Sequence, residues 1–168
     1  MATNRLDFAD DKLGNVAGRK QVLRGWLRLL TCSHHITHGI RTLLRTRHDT
    51  TLPRFDVMAA LERAPEGLSM GELSHWLMVT NANITNIADR LVKDGSVERW
   101  PSPDDRRTHY LKLTDKGLLE FKTMAKMHED YVRKIFACLS TEELETLMLL
   151  LNKIKSSAVE LNERGLSL

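Results

Sequence analysis

At Gly95 the chain changes its rule of apolar spacing, from the three-and-four recurrence of a helix to short extended runs, and at Thr114 it changes back. Between those points VERW (97–100) and HYLKL (109–113) carry β-branched, aromatic or alternating character, and the polar stretch PSPDDRRT separates them. This predicts one hairpin with a long charged tip set inside an otherwise helical chain. Few architectures accommodate that order.

The helices around the hairpin can be placed from their stripes and their caps. Val22, Leu23, Trp26, Leu27, Leu30, Ile36, Ile40, Leu43 and Leu44 predict an amphipathic helix over about 22–45, which Asp49, Thr50 and Thr51 terminate. Pro53 suits the first turn of a second, short helix carrying Phe55, Val57, Met58 and Leu61. In LSMGEL, Ser69 and Glu72 have capping-box spacing, with Leu68 and Leu73 at the staple positions, so a third helix is expected over about 70–78. Thr80 offers an N-cap for a fourth, whose inward stripe is Ile84, Ile87, Ala88 and Leu91 and whose end is Gly95. After the hairpin, Thr114 begins a long helix lined by Leu118, Phe121, Ala125, Val132, Ile135 and Leu139. Ser140 and Glu143 form a second capping box for a last one, with Leu144, Leu147, Met148, Leu151, Ile154, Ala158 and Leu161 as its stripe. The expected fold is mainly α with a small β-hairpin wing.

With 168 residues, the chain has room for one domain plus an oligomerisation element; 42% apolar and 28% charged residues exclude wholesale disorder, while a formal charge of +3 identifies no partner by itself. Cys32 and Cys138 form no CxxC pair or dense framework, so a reducing cytoplasm is the expected compartment. The first 20 residues are polar, of mixed charge and without an apolar core, and read as a loose arm rather than an export signal. GxSxG and HExxH are absent, and GNVAGRK has the wrong glycine spacing for a phosphate loop, so no enzyme or cofactor is expected, and no Asp, Glu or Cys stands at a familiar spacing to complete a metal-ligand set.

The fourth helix presents Thr80, Asn81, Asn83, Thr85, Asn86 and Arg90 away from its apolar stripe. Amides and hydroxyls on one helix face suit a major groove, because Asn pairs bidentately with adenine and Thr reads either base or phosphate. Arg106 and Arg107 at the hairpin tip suit a narrow, negative minor groove, with Asp105 placed to orient a guanidinium. Solvation alone also explains an amide-rich face or a charged tip. Their adjacency behind a capped partner helix favours a winged helix-turn-helix bound to double-stranded DNA, and a wing used only for protein contacts has no need of two adjacent guanidiniums.

The stretch LPRFDVMAALERAPEGLSMGELSHWLMVTNANITNIADRLVKDGSVERWPSPDDRRTHYLKLTDKG resembles the winged core of the MarR (multiple antibiotic resistance regulator) family. NITNIADRLVKDGSVER is similar to the family's recognition helix running into its first wing strand, and DDRRTHYLKLTDKG to its wing, with the family's Asp-x-Arg signature on Asp105 and Arg107. Two features depart from the pattern: Ser96, where a larger apolar residue is common, and the amide-rich recognition helix. The resemblance implies an obligate homodimer whose first, fifth and sixth helices interlock (21–48 and 115–165) around two DNA-binding domains (53–114). Their recognition helices would lie about 34 Å apart on a pseudo-palindrome.

It further implies a regulator, a repressor by expectation, released by a small aromatic or acyl-thioester effector held between the dimerisation region and the winged domain. Candidate contacts are Leu30, His34, His38 and Arg41 on the first helix and Phe55 and Met58 on the second. Two alternatives stay open: a metal held by His34 and His38 at i and i+4, and redox sensing through Cys32.

Overall fold

The structure is a computed structural model and describes residues 19–103, 105 and 108–164. Among the described residues six helices and three strands follow in the order α1 (Arg19–His48), α2 (Leu52–Glu62), β1 (Leu68–Ser69), α3 (Met70–Leu77), α4 (Asn81–Lys93), β2 (Val97–Pro101), β3 (His109–Leu113), α5 (Asp115–Phe136) and α6 (Thr141–Glu163). This is the mainly α architecture with a small wing that the periodicity predicts.

Local chemistry explains most of the boundaries. Three basic residues, Arg45, Arg47 and His48, occupy the last turn of α1, opposite in sign to the helix dipole there, and Asp49 leaves the helix at φ 46. Pro53 lies in the first turn of α2, where its missing N–H costs nothing. Both capping boxes form: the Ser69 amide donates to the Glu72 carboxylate at 2.7 Å and Glu72 N–H to the Ser69 hydroxyl at 3.2 Å, and Ser140 with Glu143 repeats the arrangement. Amide and hydroxyl donors from Ser69 also hold the Glu72 carboxyl below its ordinary pKa.

Thr80 departs from expectation. It occupies the N-cap position of α4 in extended geometry, yet its hydroxyl makes no capping bond. The reason is local: the amide of Asn83, the usual target, already donates to the Thr80 carbonyl at 3.0 Å.

The sheet has three strands, one more than the hairpin expected. β1 pairs antiparallel with β3 (Leu68 opposite Leu111, Ser69 opposite Tyr110), giving the order β1-β3-β2. Two residues carry no readable alternation, and β1 exists because β3 offers it a free edge. β2 and β3 pair from Val97 opposite Leu113 to Pro101 opposite His109, and the Trp100 and Tyr110 rings stack at 6.0 Å.

Residue contacts divide the chain between His128 and Glu129. In the first unit Leu44, Val57, Met58, Leu61, Leu73, Ile84, Leu91 and Leu111 are fully buried, so α1 to α4 and the sheet share one core. In the second, α6 buries no residue within the chain and leaves Met148, Leu151, Ile154 and Leu161 exposed. No described helix is long and apolar enough to cross a membrane.

Candidate nucleic-acid interface

The outward face of α4 follows from which of its residues are buried. Ile84, Ala88 and Leu91 close onto the core, so Asn83, Thr85, Asn86 and Arg90 are left exposed. Of the face predicted from sequence, the side chain of Asn81, like Arg106 and Arg107 at the wing, lies outside what the structure describes.

Two devices hold this helix in place. On its N-terminal side α3 ends in a left-handed residue, Met78 at φ 52 and ψ 40, whose amide donates to the His75 carbonyl while that of Val79 donates to the Ser74 carbonyl at 3.2 Å. That is the bond pattern of a Schellman turn with methionine where glycine is usual. Because Met78 is 94% exposed, its side chain gains nothing from packing to offset the backbone cost. Met78→Gly is therefore expected to raise unfolding free energy by about 1 kcal/mol, partly offset by glycine's extra unfolded-state entropy. A fall in urea midpoint for this variant would contradict the reading.

On the C-terminal side, α4 is locked to the start of α5. Gly95 turns the chain at φ 72, its carbonyl accepts the Thr114 hydroxyl at 2.8 Å, and the Gly117 amide donates to that same hydroxyl at 3.0 Å. Thr114 N–H reaches the Ser96 carbonyl at 3.1 Å. Ser96, the residue that departs from the family pattern, is buried, and its hydroxyl donates to Glu120 on α5 at 2.7 Å. A larger apolar side chain in its place would lose that bond. Asp89 pairs with Arg99 of β2 at 2.7 Å, and Asp94 at the end of α4 with Arg54 of α2. The hairpin tip is closed by Ser102 N–H to the Thr108 carbonyl at 2.8 Å, and the Asp105 carboxylate accepts the Thr108 hydroxyl at 3.0 Å.

The six residues predicted to contact an effector fall into different settings. Leu30, His34 and His38 are exposed on α1, the two imidazoles stacked at 6.4 Å. Phe55 and Met58 are core residues, and the Phe55 ring packs on Phe121 at 5.5 Å and on His128, which sequence reasoning missed, at 5.3 Å. Arg41 instead lines an open cleft of about 650 Å³ beside α4, together with Arg45, Arg54, Asn83, Asn86 and Arg90. Of these, Arg45 and Arg54 went unrecognised in the sequence, because no local pattern announces residues that meet only in the fold. Asp56 stands nearby; burial raises its carboxyl pKa, and the charge of Arg41 opposes the shift. Among the described residues no group of three or more His, Cys, Asp or Glu side chains converges as metal ligands.

Comparison with known proteins gives a consistent result. Residues 50–109 match the model of the MarR family. The chain is 30% identical over 116 residues to the HTH-type transcriptional regulator PecS of Dickeya dadantii (strain 3937), covering 68% of this chain and 70% of that protein. It is 33% identical over 97 residues to the transcriptional repressor MprA of Escherichia coli (strain K12), covering 58% of this chain and 55% of MprA. Among solved structures it is similar to Streptococcus pneumoniae FabT in complex with DNA, with a TM-score of 0.71 and 25% identity over 83% of this chain and 99% of FabT.

Proposed function

The chain belongs to the MarR family of transcriptional regulators, and from that premise we propose that it binds a pseudo-palindromic operator as a homodimer and acts as a repressor released by a small effector. The observation that carries the DNA-binding part is the outward face of α4: Asn83, Thr85, Asn86 and Arg90 stand exposed on a helix fixed at both ends. Asn83 and Asn86 read base edges in the major groove, with Thr80, Asn81, Thr85 and Arg90 on bases or flanking phosphates. Arg106 and Arg107 enter the adjacent minor groove, and Asp105 belongs to the tip that carries them.

Support for the homodimer comes from apolar surface. Val22, Leu23, Trp26 and Leu30 on α1 and Met148, Leu151, Ile154 and Leu161 on α6 are exposed in the single chain. Stripes of that size call for a partner surface, and a second copy supplies the same one. The flanking helices (21–48 and 115–165) then form the dimerisation region and residues 53–114 the DNA-binding domain. Repression is favoured by the likeness to MprA, whose name describes a repressor. An aromatic or acyl-thioester effector would use the exposed His34 and His38 as polar contacts, with Leu30 beside them.

The decisive experiment measures binding of the purified chain to duplexes from upstream of its own gene, with single base changes across the bound site. Asn83→Ala or Asn86→Ala should lower discrimination at particular positions by roughly 1–3 kcal/mol for each bidentate pair of bonds removed. Equal losses on every sequence would assign these residues to the backbone, and no salt-sensitive affinity for any duplex would end the reading.

A further inference from the structure

The cleft beside α4 is built from parts of the chain that have no sequence relation to one another. Arg41 and Arg45 come from the end of α1, Arg54 from the first turns of α2, and Asn83, Asn86 and Arg90 from the outward face of α4. Four guanidiniums around one open space create a local field much stronger than the net charge of the chain suggests. Acidic partners answer only part of it. Arg54 is paired with Asp94, and Arg41 interacts with the partly buried Asp56. Among the described residues Arg45 and Arg90 have no ion-pair partner and the buried Arg54 Nε has no hydrogen-bond acceptor. The start of α2 adds the positive end of a helix dipole, since Thr51, Leu52 and Pro53 line the same space.

Such a cluster of cationic donors favours an oxyanion, which a guanidinium can bind with two parallel hydrogen bonds. At about 650 Å³ the cleft is open and far larger than one inorganic anion requires. Asn83 and Asn86 belong both to the cleft and to the proposed base-reading face, so a duplex that seats this face in its major groove brings a phosphodiester edge over the arginines.

We infer that this cleft is a backbone clamp: Arg45 and Arg90, flanked by Arg41 and Arg54, hold a DNA phosphate bordering the groove that α4 reads. The inference rests on the DNA-binding reading above and adds to it a contact from the dimerisation helix α1. Because the contact is to backbone, it operates on any sequence and can be tested without the operator.

The test uses the full chain, a fluorescein-labelled duplex of random sequence and anisotropy titrations over a range of NaCl concentrations. Arg45→Ala should reduce the slope of log affinity against log salt by about 0.9 for each protomer bound, and Arg45→Lys should restore it, since a phosphate accepts a point charge. Arg45 is exposed and makes no ion pair among the described residues, so circular dichroism of the variant should match the parent. If the parent shows salt-dependent binding and Arg45→Ala leaves the slope unchanged, the clamp is overturned while DNA binding stands. Absence of salt-dependent binding by the parent would overturn both. A parallel thermal-shift titration with inorganic phosphate separates the remaining source: stabilisation of the parent but not of Arg45→Ala, with the duplex slope unaltered, would make the cleft a site for a free anion and overturn its assignment to DNA.

Discussion

Gly117→Ala is expected to cost the first unit about 3–5 kcal/mol, a large fraction of the roughly 5–15 kcal/mol that holds an ordinary domain folded. A Cβ at this position would stand 1.9 Å from the Ser96 carbonyl oxygen, 2.8 Å from its carbon and 3.1 Å from the Ser96 Cα. All three are backbone atoms, so no flexible side chain can swing aside to relieve the overlap. Nor can Ser96 retreat at little cost, because its carbonyl accepts Thr114 N–H and it is buried with its hydroxyl on Glu120. Separating α5 from Ser96 would undo the lock that fixes the end of α4, and DNA affinity should fall along with stability. Urea denaturation followed by circular dichroism measures the first effect. Gly71 on α3 is the control, since a Cβ there would meet the Ser69 hydroxyl at 4.0 Å, an ordinary contact. A Gly117→Ala variant less than about 1 kcal/mol weaker than the parent would show that the close approach is not rigid.

Ile154→Glu separates a dimer from a monomer more sharply than any change in the winged domain. Ile154 is 56% exposed in the single chain, and if the protein worked as a monomer this substitution would fall within the ~0.5 kcal/mol typical of surface positions. In a homodimer that buries α6, it places an unpaired carboxylate in an apolar interface once per protomer, at a cost of several kcal/mol each. The expected result is a protein of half the parent's sedimenting mass. Its DNA affinity should drop by at least about 100-fold, because two linked recognition helices bind with an effective concentration that separated ones lack. A parent that sediments as a monomer would remove the dimer from the proposal, and equal dimeric masses with equal affinities would remove α6 from its seam.

Features set by neighbours in the chain were legible before any fold was known. Both capping boxes appear as read, because Ser69 with Glu72 and Ser140 with Glu143 interact across three residues whatever surrounds them. The hairpin strands follow from alternation, and the inward face of α4 from its 3.6-residue period. Thr80 marks where that reading stops. Its place at the helix start was visible, but whether its hydroxyl or its carbonyl would serve the Asn83 amide depends on local geometry that residue type leaves open.

Sequence alone therefore determined the order of the elements, their polarity and the family, since these rest on interactions between residues a few positions apart and on an apolar period each segment carries by itself. Only the tertiary structure decided what lies beside what. It made Leu68 and Ser69 a third strand, turned Ser96 from an oddity into a buried hydrogen-bonded contact with α5, and took Arg41 from the histidines to a cleft with Arg45, Arg54 and Arg90. The reason is physical. The core closes by burying apolar area, a force without direction that fixes which surfaces meet but leaves no trace in the local spacing of the polar residues it gathers at the rim.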